Sequence, residues 1–485
     1  NATNGQKSVS SSGTGNMGST TSYGASWTNG DIIGVAVDWT GSTIEYYKNN
    51  SSQGSISISG LNDGTLYYPA LYGNVQLLSA NFGADSSFQG GKTAQGNSDE
   101  NGFGDFYYTP PTGYLAMCSA NAPMSADLDP GGDDGADEHP GKHFNIVEYT
   151  GNATTGQSIT GMGFKPDILI CKMTSSSQNW QIYASSLLNS RNTPMMLRLD
   201  TDGDQDDDQS TGNNNKIIST FDSDGFTLGQ SGSGPNDSGR TYQAFGFRVN
   251  GGTTVTNNEG NHTSVVQANQ KAGISIMTLA QYTSASGVTI GHGLGVKPAM
   301  YWHKPNATSS KNWHVYHHSL GATKGMNLNN VNGQSTAIGF FADTEPTTTV
   351  LSLGNTHAGT GTGIVYAWAE IEGFSKFGSY VGSGSSDGNF IDCGFKPKWV
   401  FIKKSSEAST TYGWANFNTV HQKNNAANFS GGWFDTSAAF SSNYPFEING
   451  RGFKHRNNNT NLDGGSKTYI FGAWADTPFK YGTAF

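Results

Sequence analysis

Short apolar runs recur along the chain about every ten to twelve residues, with Gly, Asn, Asp or Ser between them, which is the spacing of a sandwich or barrel. Asp31-Ile-Ile-Gly-Val-Ala-Val-Asp38 predicts a buried strand. Thr43-Ile-Glu-Tyr-Tyr-Lys-Asn49 alternates apolar with polar before an Asn/Ser turn and predicts a second. Further strands are expected at 55–59, in Tyr67-Tyr-Pro-Ala-Leu-Tyr72 and at 77–82. Residues 83–104 are small, polar and without period, the signature of a linker.

Beyond that point the pattern repeats three times. Gly163-Phe-Lys-Pro166, Gly295-Val-Lys-Pro298 and Gly394-Phe-Lys-Pro397 each precede an apolar strand, at 167–172, 299–304 and 398–403. A tryptophan follows the Pro by 14, 15 and 17 residues, at Trp180, Trp313 and Trp414. Each unit closes on an aromatic strand opening at Tyr242, Tyr366 or Tyr469, which is 76, 68 or 72 residues after the Pro. The periods of 132 and 99 residues exceed those of stacked solenoid repeats, so whole domains in tandem are expected, each able to bury its own core. Lys-Pro reads first as a turn device that keeps Lys extended. The repeated tryptophans read as core packing, with a ligand platform as the functional alternative.

Composition sharpens the class. Glycine supplies 66 of 485 residues, charged residues only 13 % and aromatics 12 %, which fits a folded, turn-rich β protein and excludes a helical bundle. The net charge of -10 without a run of Lys or Arg excludes the electrostatic footprint of a nucleic-acid binder. No window approaches the 18 apolar residues of a spanning helix. Residues 1–21 carry no apolar segment of a signal peptide, and with Asn1 first the chain reads as a fragment or processed product. Cys118, Cys171 and Cys393 form no tight pair, and Cys171 lies in an apolar run as a buried thiol.

Candidate chemistry is sparse. One acidic cluster spans Asp127 to Glu138; a second places Asp200, Asp202, Asp204, Asp206 and Asp208 at alternate or adjacent positions on a Gly-containing loop. Alternating carboxylates can converge on calcium, but the EF-hand spacing fails at Gly203 and Thr211, so a solvated acidic loop stands beside the calcium site as the other reading. His303, His314, His317 and His318 gather in the second repeat; along a strand His314 and His317 fall on opposite faces, so a packing role is favoured over a metal. No nucleophile elbow, phosphate loop, zinc motif or dinucleotide fingerprint occurs. A glycosidase carboxylate pair has no short signature and stays open.

Gly30-Asp-Ile-Ile-Gly-Val-Ala-Val-Asp38, Ile44-Glu-Tyr-Tyr-Lys-Asn-Asn50, Tyr68-Pro-Ala-Leu71 and Ala80-Asn-Phe-Gly83 resemble the second half of a SPRY domain, a concanavalin-A-like sandwich, with Asn50 where that family usually has Gly. The resemblance implies that the chain begins inside that domain. Gly104-Asp-Phe-Tyr-Tyr-Thr-Pro-Pro-Thr-Gly-Tyr-Leu-Ala-Met-Cys118, Phe221-Asp-Ser-Asp-Gly-Phe-Thr-Leu-Gly229 and Pro478-Phe-Lys-Tyr481 are similar to virion proteins of marine and cyanobacterial tailed phages. That resemblance implies a particle component with no catalytic residues.

The expected fold is all-β. A truncated SPRY-like sandwich (1–90) and a linker with an acidic loop (91–142) lead to three related repeats at 143–250, 271–372 and 373–485. The expected function is a non-enzymatic tail fibre or surface spike located on the virion, contacting host glycans through Trp180, Trp313 and Trp414 with their neighbouring loops and assembling with other virion proteins, as a trimer by the resemblance. A glycan depolymerase and a purely architectural capsid or tail-wall protein are the alternatives.

Overall fold

The computed structural model describes residues 6–8, 20–58, 79–88, 90–117, 121, 140–188, 194–203, 218–229, 234–280, 282, 286–305, 311–336, 338–355, 362–407, 413–421, 429–444, 446–456 and 458–476. Their regular secondary structure is almost entirely β, as expected, and the chain divides into two compact units, Asn1–Pro123 and Met124–Phe485.

In the first unit, β1 (Ile33–Asp38), β2 (Thr43–Lys48) and β3 (Ser51–Ser57) form an antiparallel sheet. The two-residue loop between β2 and β3 is Asn49-Asn50, with φ of 46° and 69°. Positive φ at both positions makes the primed turn that matches strand twist, and Asn is the side chain that tolerates it best after Gly. The stretch read as a linker is an organised loop. Asp99 accepts the amides of Asn101 and Phe103 on one oxygen, and the Ala116 amide and the Asn121 side chain on the other. The strands expected at 67–72 and 77–82 lie largely outside the described residues.

In the second unit each repeat builds the same five-stranded antiparallel core, which the second repeat widens with edge strands Val255–Asn257, Ser264–Asn269 and Ser335–Thr336 and the third with Ser441–Tyr444. The first repeat contributes β4 (Phe144–Thr150), β5 (Ile168–Met173), β6 (Gln181–Leu188), β7 (Pro194–Arg198) and β8 (Thr241–Phe247), in the order β4-β8-β5-β6-β7. The second contributes β9 (Ile274–Leu279), β10 (Met300–Lys304), β11 (His314–His317), β12 (Lys324–Asn327) and β13 (Gly363–Trp368), in the order β9-β13-β10-β11-β12. The third contributes β14 (Ser375–Val381), β15 (Pro397–Lys404), β16 (Trp414–Asn418), β17 (Phe429–Trp433) and β18 (Thr468–Ala475), in the order β14-β18-β15-β16-β17. The strand after each Lys-Pro and the closing aromatic strand are neighbours at the sheet centre, which explains their long apolar runs. The left-handed glycines Gly163, Gly295 and Gly394, at φ 84°, 74° and 81°, reverse the chain before each Lys-Pro.

Each sheet has two buried faces. Outward, it packs on a smaller sheet of its own repeat, giving three separate cores, for example Leu169, Cys171 and Phe226 in the first repeat and Val400, Ile402 and Phe453 in the third. Inward, the three sheets share one core that takes residues from all of them, including Phe144, Phe245, Trp302, Trp368, Trp399 and Trp474. Trp399 and Trp474 stack at 4.5 Å, Trp302 meets Trp368 at 4.8 Å, and Trp368 meets Trp474 at 6.1 Å between ring centres. The repeats therefore do not string out as independent tandem domains. They close into a ring around a common aromatic centre.

Candidate functional site

The repeated residues converge on the seams of this ring. Side chains alternate along a strand, so after Ile168 and Ile170 the next inward position of β5 is Lys172. The equivalent series are Met300, Trp302, Lys304 and Trp399, Phe401, Lys403, aligned by their pairing with the closing strands. Each lysine lies six residues after its Pro and is almost fully buried. Its ammonium stands over the tryptophan of its own repeat, at 5.8 Å for Lys172 and Trp180, 5.8 Å for Lys304 and Trp313 and 5.6 Å for Lys403 and Trp414.

Both members of each pair then donate to the neighbouring repeat. Trp180 Nε1 donates to the Trp433 carbonyl at 2.7 Å, Trp313 Nε1 to the Arg198 carbonyl at 2.7 Å and Trp414 Nε1 to the Asn327 carbonyl at 2.9 Å. These acceptors end β17, β7 and β12 and sit opposite the residue after the tryptophan of their own repeats, at one register position. Lys172 Nζ donates to the Ser437 carbonyl at 2.8 Å, Lys304 Nζ to Asp202 at 3.0 Å and Lys403 Nζ to Asn330 at 3.1 Å. First holds third, second holds first, and third holds second. The three clamps form a closed cycle.

A third element completes each clamp two residues after the acceptor, at Asp200, Asn329 and Asp435. Asn329 Oδ1 accepts the Trp313 amide at 3.0 Å, and Asp435 accepts the Gly413 and Trp414 amides at 2.9 Å. Burial pushes the Asp200 carboxyl up to about 6, against the pull of the Trp180 amide and of Lys172. Burial likewise pulls Lys172 and Lys403 down to about 8, with Asp200 and Asp435 as the opposing charges. Every ammonium is committed to main-chain carbonyls, so the arrangement is one of anchorage rather than nucleophilic chemistry.

These positions revise the sequence expectations. Trp180, Trp313 and Trp414 are 0 % exposed, and none offers a ring face to a ligand. Of the acidic loop, Asp200 is half-buried in a clamp and Asp202 is on the surface with its carbonyl on Lys304; Asp204, Asp206 and Asp208 lie outside the described residues, as does the cluster from Asp127 to Glu138. No group of three metal-ligating side chains converges among the described residues. The histidines of the second repeat form two pairs rather than one cluster: His303 lies opposite His314, which packs on Phe340, while His317, its ring 5.2 Å from that of His318, points to the other face and donates to the Phe471 carbonyl of the third repeat at 3.1 Å. Cys171 and Cys393 are buried free thiols, pushed far up by burial, and Cys118 lies outside the described residues. The clamp lysines had carried no expected role. Their signal was present, because the interval from Pro to Lys is six in all three repeats whereas the interval to Trp varies.

Among the described residues no helix is long and apolar enough to cross a membrane. A family model described as Domain of unknown function (DUF7483) matches residues 139–478, which is 340 of the 485 residues and takes in all three repeats. A SPRY domain model matches residues 3–85, in agreement with the N-terminal motifs. No curated protein and no solved structure matches the chain.

Proposed function

The chain belongs to the DUF7483 family, and we propose that it is a non-enzymatic structural component of a phage-type particle, a fibre or spike that presents loops to the host surface. The observation that carries the reading is the cyclic clamp, in which the repeated aromatic and cationic side chains lock three sheets into one body. A rigid body suits a mechanical or adhesive part, since contacts made by fixed loops lose little ordering entropy on binding. The particle itself is inferred from the sequence resemblance of 104–118 and 221–229. The threefold arrangement that a homotrimer would supply is already present within one chain.

With the repeated tryptophans buried, glycan contact passes to exposed loops. Trp39, at the hairpin turn after β1 and 45 % exposed, is the aromatic side chain best placed for it. The test is incubation of the full chain with a panel of bacterial surface polysaccharides, read by retention and by polysaccharide length. Retention with unchanged length, weakened by Trp39→Ala, is expected. Shortened polysaccharide would replace this reading with the depolymerase, and no retention on any member would remove the adhesive one.

A further inference from the structure

Each seam of the ring is crossed by a histidine, and the three are not alike. Between first and second repeats, Asn269 Nδ2 donates to His143 Nδ1 at 2.9 Å. That amide is oriented by its own partners, since its Oδ1 accepts the Ala272 amide and its Nδ2 also donates to the Arg248 carbonyl, so His143 Nδ1 has to be bare. Between second and third repeats, His317 Nε2 donates to the Phe471 carbonyl at 3.1 Å while Nδ1 accepts the Ser319 amide at 3.2 Å. Both nitrogens are committed to the neutral form, and a proton on Nδ1 would set two donors against each other in a site with 0 % exposure. Between third and first repeats the sense is reversed. His421 Nδ1 donates to Glu148 Oε1 at 2.9 Å, so the ring meets the first repeat as a donor and not as an acceptor.

We propose that the second repeat is held in the ring by two histidines that must stay neutral, so that mild acid loosens both of its seams while the seam between first and third repeats stays closed. The surroundings agree. The titratable neighbour of His317 is His318, itself donating to the Phe377 carbonyl; the third repeat presents to His317 the Phe471 carbonyl and the Phe377 ring. His143 meets the Asn269 amide and the Phe374 ring; the charged residues on the adjoining segments are Lys142, Arg248, Lys271, Glu372 and Lys376. His421 faces Glu148, the Phe440 ring and Ser430, beside the reciprocal amide pair of Gln243 and Asn418.

Burial, with His318 beside it, pulls His317 down to about 3. A lowered value means that the stability this group lends is present above its ordinary 6.5 and is lost as pH falls toward 3. If opening a seam restores the ordinary value, the opening equilibrium grows by about 10-fold at pH 5.5 relative to pH 7.5. Asp200, raised to about 6 beside the clamp between first and third repeats, has the opposite sign and does not loosen that seam in acid. His292 and His455 are also buried and lowered, but their partners, Thr347 and Leu294 for one and Tyr380 for the other, lie within single repeats.

The experiment is native-state amide exchange of the full chain at pH 7.5 and 5.5, corrected for intrinsic rates and read by mass spectrometry. Reporters for the second repeat are segments holding Ala272, Ser319 and Gln334, whose amide crosses to the Ser405 carbonyl. Reporters for the other seam are Gln178 and Phe440, whose amides cross to the Ser437 and Thr174 carbonyls. Opening that rises about 10-fold at the first set and stays level at the second is the expected result. Equal change at all seams, or none, overturns the proposal. His317→Gln, which keeps a donor for Phe471 but cannot titrate, is expected to remove the pH dependence at Ser319 and Gln334 and leave it at Ala272; retention of the dependence at Ser319 and Gln334 also overturns it. Should that variant not fold, the comparison of seams in the unaltered chain decides alone.

Discussion

Replacing Trp313 by Phe separates a clamped ring from domains in tandem. The change keeps most of the buried aromatic surface but removes Nε1, leaving the Arg198 carbonyl of the first repeat without its donor at 2.7 Å. An unpaired buried carbonyl costs about 1–3 kcal/mol, and truncating indole to phenyl in a closed site adds about 1 kcal/mol. The Lys304 ammonium, 5.8 Å from the ring, keeps an aromatic face and most of that contact. The expected loss is therefore about 2–4 kcal/mol. For the second unit, Met124–Phe485, the unfolding entropy is about 0.8 kcal/mol/K, so the midpoint falls by about 3–5 °C.

Calorimetry of the full chain is the assay. The three repeats are expected to melt in one transition, and Trp180→Phe, Trp313→Phe and Trp414→Phe are each expected to lower that whole transition by a similar amount, since the three seams share one geometry. Three separable transitions, with each substitution moving only one, would refute the reasoning. So would a change below about 0.5 kcal/mol at all three positions, the scale of an ordinary surface substitution.

Other consequences follow from the same contacts. Asp167, buried, accepts the Ser185 hydroxyl and the Val249 and Gly251 amides where the chain leaves the first repeat, so Asp167→Asn is expected to cost about 1–3 kcal/mol in urea unfolding by turning one acceptor into a donor. Asp200, raised to about 6, lends stability at low pH that is lost as pH rises through 6; Asp200→Asn, the residue the second repeat carries at Asn329, is expected to be the more stable form at pH 8 by about 2–3 kcal/mol, with the gap closing below pH 4. A Cβ on Gly225 or Gly452 would lie 2.0 Å from the carbonyl of Ile159 or Ile391, so either Ala substitution is expected to cost about 1–3 kcal/mol by thermal unfolding.

How far the sequence carried the fold depended on whether a residue's partner was local. The hairpin at Asn49-Asn50, the strands after each Lys-Pro and the closing aromatic strands rest on alternation and turn chemistry within a few residues, and all were legible. That the three inward faces share one core was not legible, because alternation says that a face is buried and not against what. Trp180 and the Trp433 carbonyl are 253 residues apart in sequence. A tryptophan repeated once per domain therefore looks the same whether it waits for a ligand or closes on the next domain. The discriminating sign was the lysine. A cation held at an invariant inward position among apolar residues needs acceptors that its own strand cannot supply, because the ladder already uses that strand's carbonyls. Lys172, Lys304 and Lys403, fixed six residues after Pro, therefore imply a neighbouring chain segment with free carbonyls at each repeat. In a chain with three such repeats, the economical source of those carbonyls is the repeats themselves, each closing on the next.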